Sequence, residues 1–296
     1  MAEVKALACE LPARCGVPLS RFSLRELARQ VILWTGVASI SAATVGRWLR
    51  EDALKPWHYR SWIFPRDPDF ESKAARVLDL YQGLWEGVPL TPTEYVISAD
   101  EKTSIQARVR LHATLPPVPR EPMRVEHEYA RGGSLNYLAA WDVHRAKLFG
   151  RCEAKTGIDA FGRLVAQVMS QEPYASAERV FLVVDNGSSH RGAACVRRLQ
   201  RQWPTLVVVH LPVHASWLNQ IEIYFSIVQR LVLTPNDFAS LAAVEERLLA
   251  FERRYEATAK PFQWTFTRTD LSEWVRKLKN PAPPLENPAP PLARAA

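Results

Sequence analysis

Residues 179–185 read RVFLVVD, and residues 205–210 read TLVVVH. A short continuous apolar run with polar ends belongs to a strand buried on both faces. Residues 191–203, between the two runs, have helical periodicity. Strands alternating with helices specify an α/β domain. Flanking segments extend the pattern. Residues 95–100 (YVISAD) predict a short strand ending in an acid, and 146–153 a further one. Residues 124–130 and 135–143 predict two more, with Gly132-Gly133 as a hairpin turn between them. Helices are expected over 158–170, 216–233 and 241–255.

The amino-terminal part has a different grammar. Ser23 and Glu26 fit a capping box, followed by Leu24, Leu27, Ala28, Val31 and Ile32 at helical spacing. Gly36 closes that helix. A second begins near Ser41, with Val45, Trp48 and Leu49 inward and Thr44, Arg47 and Arg50 outward. Two short helices around a glycine-containing turn form the pattern of a helix-turn-helix. Charge supports a polyanionic partner: the chain carries a net +7, and residues 20–66 hold eight basic side chains against three acids. Arg47 and Arg50 are candidates for DNA contacts, with Thr44 beside them and Lys55 and Arg60 as phosphate contacts. Residues 55–68 (KPWHYRSWIFPRDP) either follow a DNA backbone or cap the helical unit with buried tryptophans. Residues 69–85 predict a linker helix ended by the prolines of GVPLTPT.

The expected division is therefore a DNA-binding segment over 1–68, a helical linker over 69–92, an α/β domain over 93–278 and a disordered proline-rich tail over 279–296. No run of about 18 apolar residues suggests a membrane span. The first residues lack the features of a secretory signal, so a cytoplasmic protein is expected. Cys9, Cys15, Cys152 and Cys195 have no zinc-site spacing and are expected as free thiols.

Three acids stand out by their flanks. Asp100 and Asp185 close apolar strands, and Glu222 interrupts the apolar helical stretch WLNQIEIYFSIV. Functional groups in parallel sheets gather beyond the carboxyl ends of strands. Carboxylates brought together there repel by roughly a few kcal/mol per pair, which hard divalent cations offset. His190 either contacts DNA, tunes such a site, or anchors the helix that follows it. Asn219 has a supporting role, hydrogen-bonding Glu222 or nearby backbone. Glu101 is expected in solvent or paired with a nearby base such as Lys102. Packing roles are expected for His210, His214, Trp217 and Tyr224.

The segments SADEKTSIQA, LVVDNGSSHRG and HLPVHASWLNQIEIYFSIVQR resemble the DDE/D signature of mariner-superfamily transposases, in the bacterial insertion-sequence branch. The matching positions are Asp100 with Glu101; Asp185 with Asn186 and His190; and Glu222 with Leu218, Asn219 and Ile221. The resemblance implies an RNase H-like mixed sheet flanked by helices, preceded by a small all-α helix-turn-helix segment. It implies Asp100, Asp185 and Glu222 as ligands of two Mg²⁺ ions, with Mn²⁺ able to substitute. It also implies double-stranded DNA as partner (element ends and target, joined at TA), a homodimer in the synaptic complex, and a bacterial, nucleoid-associated protein. Such proteins have two helix-turn-helix units, whereas only some twenty residues precede Ser23 here. A DNA-binding remnant acting as a repressor and a structure-specific nuclease are the alternatives.

Overall fold

The computed structural model describes residues 1–59 and 65–279. The chain divides into two compact units, Met1–Phe64 and Pro65–Asn280. Arg60 and, apart from Lys279, the expected tail lie outside the described residues.

The first unit is helical: α1 (Ala2–Ala8), a 3-10 turn (Pro12–Cys15), α2 (Leu24–Thr35) and α3 (Ala42–Glu51). Val4 and Leu7 of α1 share a core with Phe22, Leu27, Val31, Val45 and Leu49, so the residues before Ser23 supply a third helix. Ser23 Oγ accepts the Glu26 N–H as expected, but the reciprocal half of the capping box is not made. The Glu26 carboxylate instead takes the Arg29 guanidinium at 3.0 Å. Ser41 caps α3 through the Thr44 N–H. Gly36 ends α2 at φ 68°, a conformation that disfavours any side chain with a Cβ.

In the second unit α4 (Phe70–Tyr81) and a small hairpin, β1 (Leu84–Trp85) and β2 (Val88–Pro89), lead into a mixed sheet. Its strands are β3 (Glu94–Val109), β4 (Ala130–Asp142), β5 (Leu148–Glu153), β6 (Arg179–Val184) and β7 (Leu206–His210). The spatial order is β5-β4-β3-β6-β7, antiparallel through β5, β4 and β3 and parallel from β3 to β7. Strand alternation sorts the side chains. Ile97, Ala99, Val180 and Leu182 meet α5 (Ile158–Met169) and α6 (Gly192–Gln202) on one face. Val96, Phe181 and Val183 meet α4, α7 (Ile221–Leu231), α8 (Leu241–Glu256) and α9 (Arg268–Lys279) on the other. This is the expected mixed α/β architecture.

Several local expectations are corrected. Gly132 and Gly133 do not turn a hairpin but lie within β4. A Cβ at Gly132 would stand 2.9 Å from Val109 Cγ2, and Gly133 has φ 94° beside an irregularity in the β3–β4 register. The glycines therefore serve a close strand approach, and a long arm over residues 110–129 makes the connection. β3 does not stop at Asp100 but runs nine residues further. The helix expected over 216–233 is broken: a 3-10 turn (Ser216–Leu218) precedes α7, with Asn219 extended between them at ψ 111°. The segment read as a linker helix packs into the sheet core through Phe70, Ala74, Val77 and Leu78. Helix α9 lies beyond the expected helices, although Leu271, Trp274, Val275 and Leu278 stand at helical spacing.

Candidate active site

Strand parity brings the acids together. Val96, Ser98 and Asp100 alternate onto the α7 face of β3. Phe181 and Val183 do the same on β6, and Asp185 follows immediately after that strand ends. β3 and β6 are parallel neighbours with Ser98 opposite Val183, so Asp100 and Asp185 emerge side by side. Single atoms of Asp100, Asp185 and His190 lie within 4.8 Å of one another. Glu222 is not part of that tight cluster. It occupies the first turn of α7, close enough for its charge to act on Asp100.

Each acid is held differently. Asp100 is 7% exposed; its Oδ1 accepts the Glu101 N–H at 2.8 Å and its Oδ2 the Asn219 side-chain amide at 3.2 Å. Burial pushes its carboxyl up to about 7, with the charges of Asp185, Glu101 and Glu222 adding to the effect and the Glu101 N–H opposing it. Asp185 is held below the usual carboxylate range, chiefly by the His190 side chain, with the Gly187 N–H (2.7 Å) helping and burial opposing. Both partners use Asp185 Oδ1, leaving Oδ2 with no hydrogen bond among the described residues. The Glu222 carboxyl is raised by burial, with Lys102 opposing and Asp185 adding.

His190 is fully buried against the Phe161 ring. Its burial disfavours charge, but bonding to Asp185 and the nearby Glu101 carboxylate outweigh this and raise its pKa. Ser189 Oγ donates to Glu101 at 2.7 Å and lies 3.1 Å from His190 Nδ1. The nearby base that Glu101 meets is thus His190, with Nδ1 4.0 Å from Glu101 Oε1, and not Lys102; its carboxylate joins a chain ending at Asp185. Gly187 has no room for a side chain, since a Cβ would stand 2.8 Å from the His190 ring.

The remaining residues are supporting. Asn186 Nδ2 donates to the Leu211 carbonyl at 2.7 Å, tying the turn after β6 to the end of β7. His210 Nε2 lies 2.6 Å from the His190 carbonyl. Tyr224 is fully buried, whereas Trp217 precedes α7 and packs on Phe266 and Trp274. Ser98 is a residue the sequence argument passed over. Its hydroxyl donates to Asn219 Oδ1 and accepts the Ile221 N–H at 2.9 Å, linking the support of Asp100 to the start of the Glu222 helix. Its position two residues before Asp100, on the same face, was the available signal.

The sequence matches a family described as DDE superfamily endonuclease over residues 95–245, just over half the chain. The protein belongs to that family. Its fold is also similar to solved structures of the Mos1 mariner transposase. A paired end complex with Mg aligns at TM-score 0.54 and 15% identity, covering 94% of this chain and 77% of that one. A strand transfer complex gives 0.53 and 15% with the same coverage. A paired end complex with Mn gives 0.51 and 16%, covering 92% and 75%. Comparison with curated protein sequences returned no match. Asp100 and Asp185 offer hard oxygen donors that converge within one small cluster, the chemistry that suits a divalent cation.

In the first unit, Arg47 and Arg50 are exposed on α3, and Lys55 is exposed beyond it. Thr44 is half-buried, its N–H and hydroxyl engaged by Ser41. Among the described residues no helix is long and apolar enough to cross a membrane.

Proposed function

We propose that the protein is a DNA transposase of the bacterial insertion-sequence branch of the mariner superfamily. It binds the terminal inverted repeats of its element, cleaves DNA strands there, and joins the freed 3′-OH ends to target DNA at TA. The observation that carries this reading is the convergence of Asp100 and Asp185 from adjacent strands, with Glu222 beside them, in a DDE endonuclease chain.

Asp100 and Asp185 would hold two Mg²⁺ ions, or Mn²⁺ in their place, with Glu222 completing the second position. Bound there, divalent cations activate the attacking oxygen and offset charge on the leaving one. The protein's own contribution is positioning. Asn219 fixes one oxygen of Asp100, while His190 and the Gly187 N–H fix one oxygen of Asp185 and leave the other free. Water, then a DNA 3′-OH, is the nucleophile, and prepaid orientation and charge neutralisation supply most of the rate. Thr44, Arg47, Arg50, Lys55 and Arg60 contact the element end, α3 lying in the major groove. Two ends must be cut in concert, which calls for a homodimer. The solved paired end and strand transfer complexes of the Mos1 transposase, similar in fold, support this reading.

The test is cleavage of a labelled duplex bearing the element's end, with Mg²⁺ or Mn²⁺, for wild type beside Asp185→Asn. Metal-dependent nicking by wild type, reduced to background in the variant with DNA binding retained, is expected. Strand-transfer products on a TA-containing target then separate a transposase from a nuclease that only cuts. Binding without cutting by wild type would sink the enzymatic claim.

A further inference from the structure

Past Asp100, the second half of β3 lines a groove of about 840 Å³. The turn that follows α7 is stitched to this strand. Asn236 Oδ1 accepts the Arg108 N–H at 3.2 Å, and Asn236 Nδ2 donates to the Gln106 carbonyl at 2.7 Å. Lys102, Gln229 and Thr234 line both this groove and a recess of about 470 Å³ that has Glu222 in its wall. The groove therefore opens beside the third acid.

Its cations are prearranged. The guanidinium groups of Arg108 and Arg110 lie 4.7 and 5.7 Å from the centre of one ring, Tyr129. Arg110 is further fixed by donating to the backbone carbonyls of Glu126 and Arg108. Arg108 makes no side-chain hydrogen bond or ion pair among the described residues, and its Nε is buried without an acceptor. Buried donors left unpaired are rare in folded proteins, and the Arg108 side chain is held by stacking alone. Glu126, the acid in the lining, is already engaged by His112 and by the Leu111 and His112 N–H groups. Unlike Nε, the terminal nitrogens of Arg108 are not closed off, and they too have no hydrogen-bond partner among the described residues, so they are what an oxyanion from outside the chain would meet. Stacked guanidinium forks are well matched to phosphate oxygens.

We propose that this groove is a phosphate-binding track for the DNA strand that passes the acid cluster. Arg108 and Arg110, pinned by Tyr129, grip consecutive regions of the backbone, and Lys102 stands between the track and Glu222. The assignment rests on the DNA-processing reading above and adds to it a contact surface independent of the helical unit.

The test uses the full chain in EDTA, so that no cutting intervenes. Binding of a labelled 30-base-pair duplex of arbitrary sequence is followed over a salt series, beside a melting curve for each variant. Arg108→Met is expected to melt with wild type while binding about tenfold more weakly, as loss of a charge-assisted bond implies. The slope of log K against log salt should fall by about one phosphate contact. Tyr129→Ala keeps both charges; it should weaken binding a few-fold and leave the slope unchanged. If Arg108→Met does not fold, the Tyr129→Ala affinity decides. Unchanged affinity and slope in a folded variant overturn the track, while the transposase reading stands as long as wild type still cuts element ends. A wild-type protein that neither binds nor cuts DNA removes both.

Discussion

Asp100 meets two opposing demands. It must be buried to be positioned, yet burial and its acidic neighbours resist its ionisation and push its carboxyl from 3.8 to about 7. The unfolded chain ionises this group near pH 4, the folded chain near 7. Its contribution to stability is therefore present at low pH and lost as pH rises through 7, by on the order of a few kcal/mol. In EDTA, denaturant unfolding should show wild type losing stability between about pH 4 and 7 relative to Asp100→Asn and levelling off above that, with Mg²⁺ restoring wild type alone. Identical pH profiles would show that the carboxyl is not strained in this way. The approach of Asp100 to Asp185 was legible in the sequence because charges stand out at the ends of apolar runs. The chain from Glu101 through Ser189 to His190 was not, because its members are 88 residues apart and meet only once β3 and β6 are neighbours.

At the level of elements, β4, β5 and α8 meet in a contact with no slack. Gly150 N donates to Glu252 Oε1 at 3.1 Å, and Tyr137 Oη donates to Glu252 Oε2 at 3.0 Å. A Cβ at Gly150 would stand 2.3 Å from both Glu252 Oε2 and Tyr137 Oη. Gly150→Ala must displace the buried Tyr137 hydroxyl and the Glu252 carboxylate and disturb the hydrogen bonds between them, and overpacking of this kind costs about 1–3 kcal/mol. A clearly lowered Tm is expected, whereas Glu252→Gln, which keeps the acceptor for Gly150, should melt near wild type. Continuous apolar runs made β6 and β7 readable. The glycine pair in β4 misled because glycine marks a turn and a close strand approach alike, and only the facing Val109 tells them apart. The break before α7 was hidden for a similar reason. Residues 216–233 are helix-compatible throughout, but Asn219 leaves the helix to reach Asp100 and the Ala99 carbonyl.

On the scale of the whole molecule, the two units have separate cores. One is drawn wholly from residues between Val4 and Trp57, the others from residues between Phe70 and Val275. Residues 1–64 and 65–280, produced separately, should each unfold cooperatively, the smaller with the lower Tm because a chain of about 60 residues buries proportionally less surface. Calorimetry of the two fragments checks this, and a fragment without a transition would show that its core depends on the other. The mixed sheet and the helical unit were both accessible to sequence reasoning, since periodicity reports which faces are covered. It does not report by what, and so α4 read as a linker although its apolar stripe belongs to the sheet core.

β3 pairs with β6 from Glu94 to Ser98 and with β4 from Ile97 onward, so the two ladders overlap just before Asp100; from Asp100 to Val109 its ladder is with β4 alone. The strand thus joins two regimes of evolutionary freedom. Upstream, a substitution must satisfy two neighbours and two packed faces at once. Downstream, one edge is answerable only to side chains such as Asn236, and the arm beyond can lengthen, shorten or change sequence without disturbing the carboxylates. A lineage could therefore retune how it handles its nucleic acid while inheriting its chemistry unaltered.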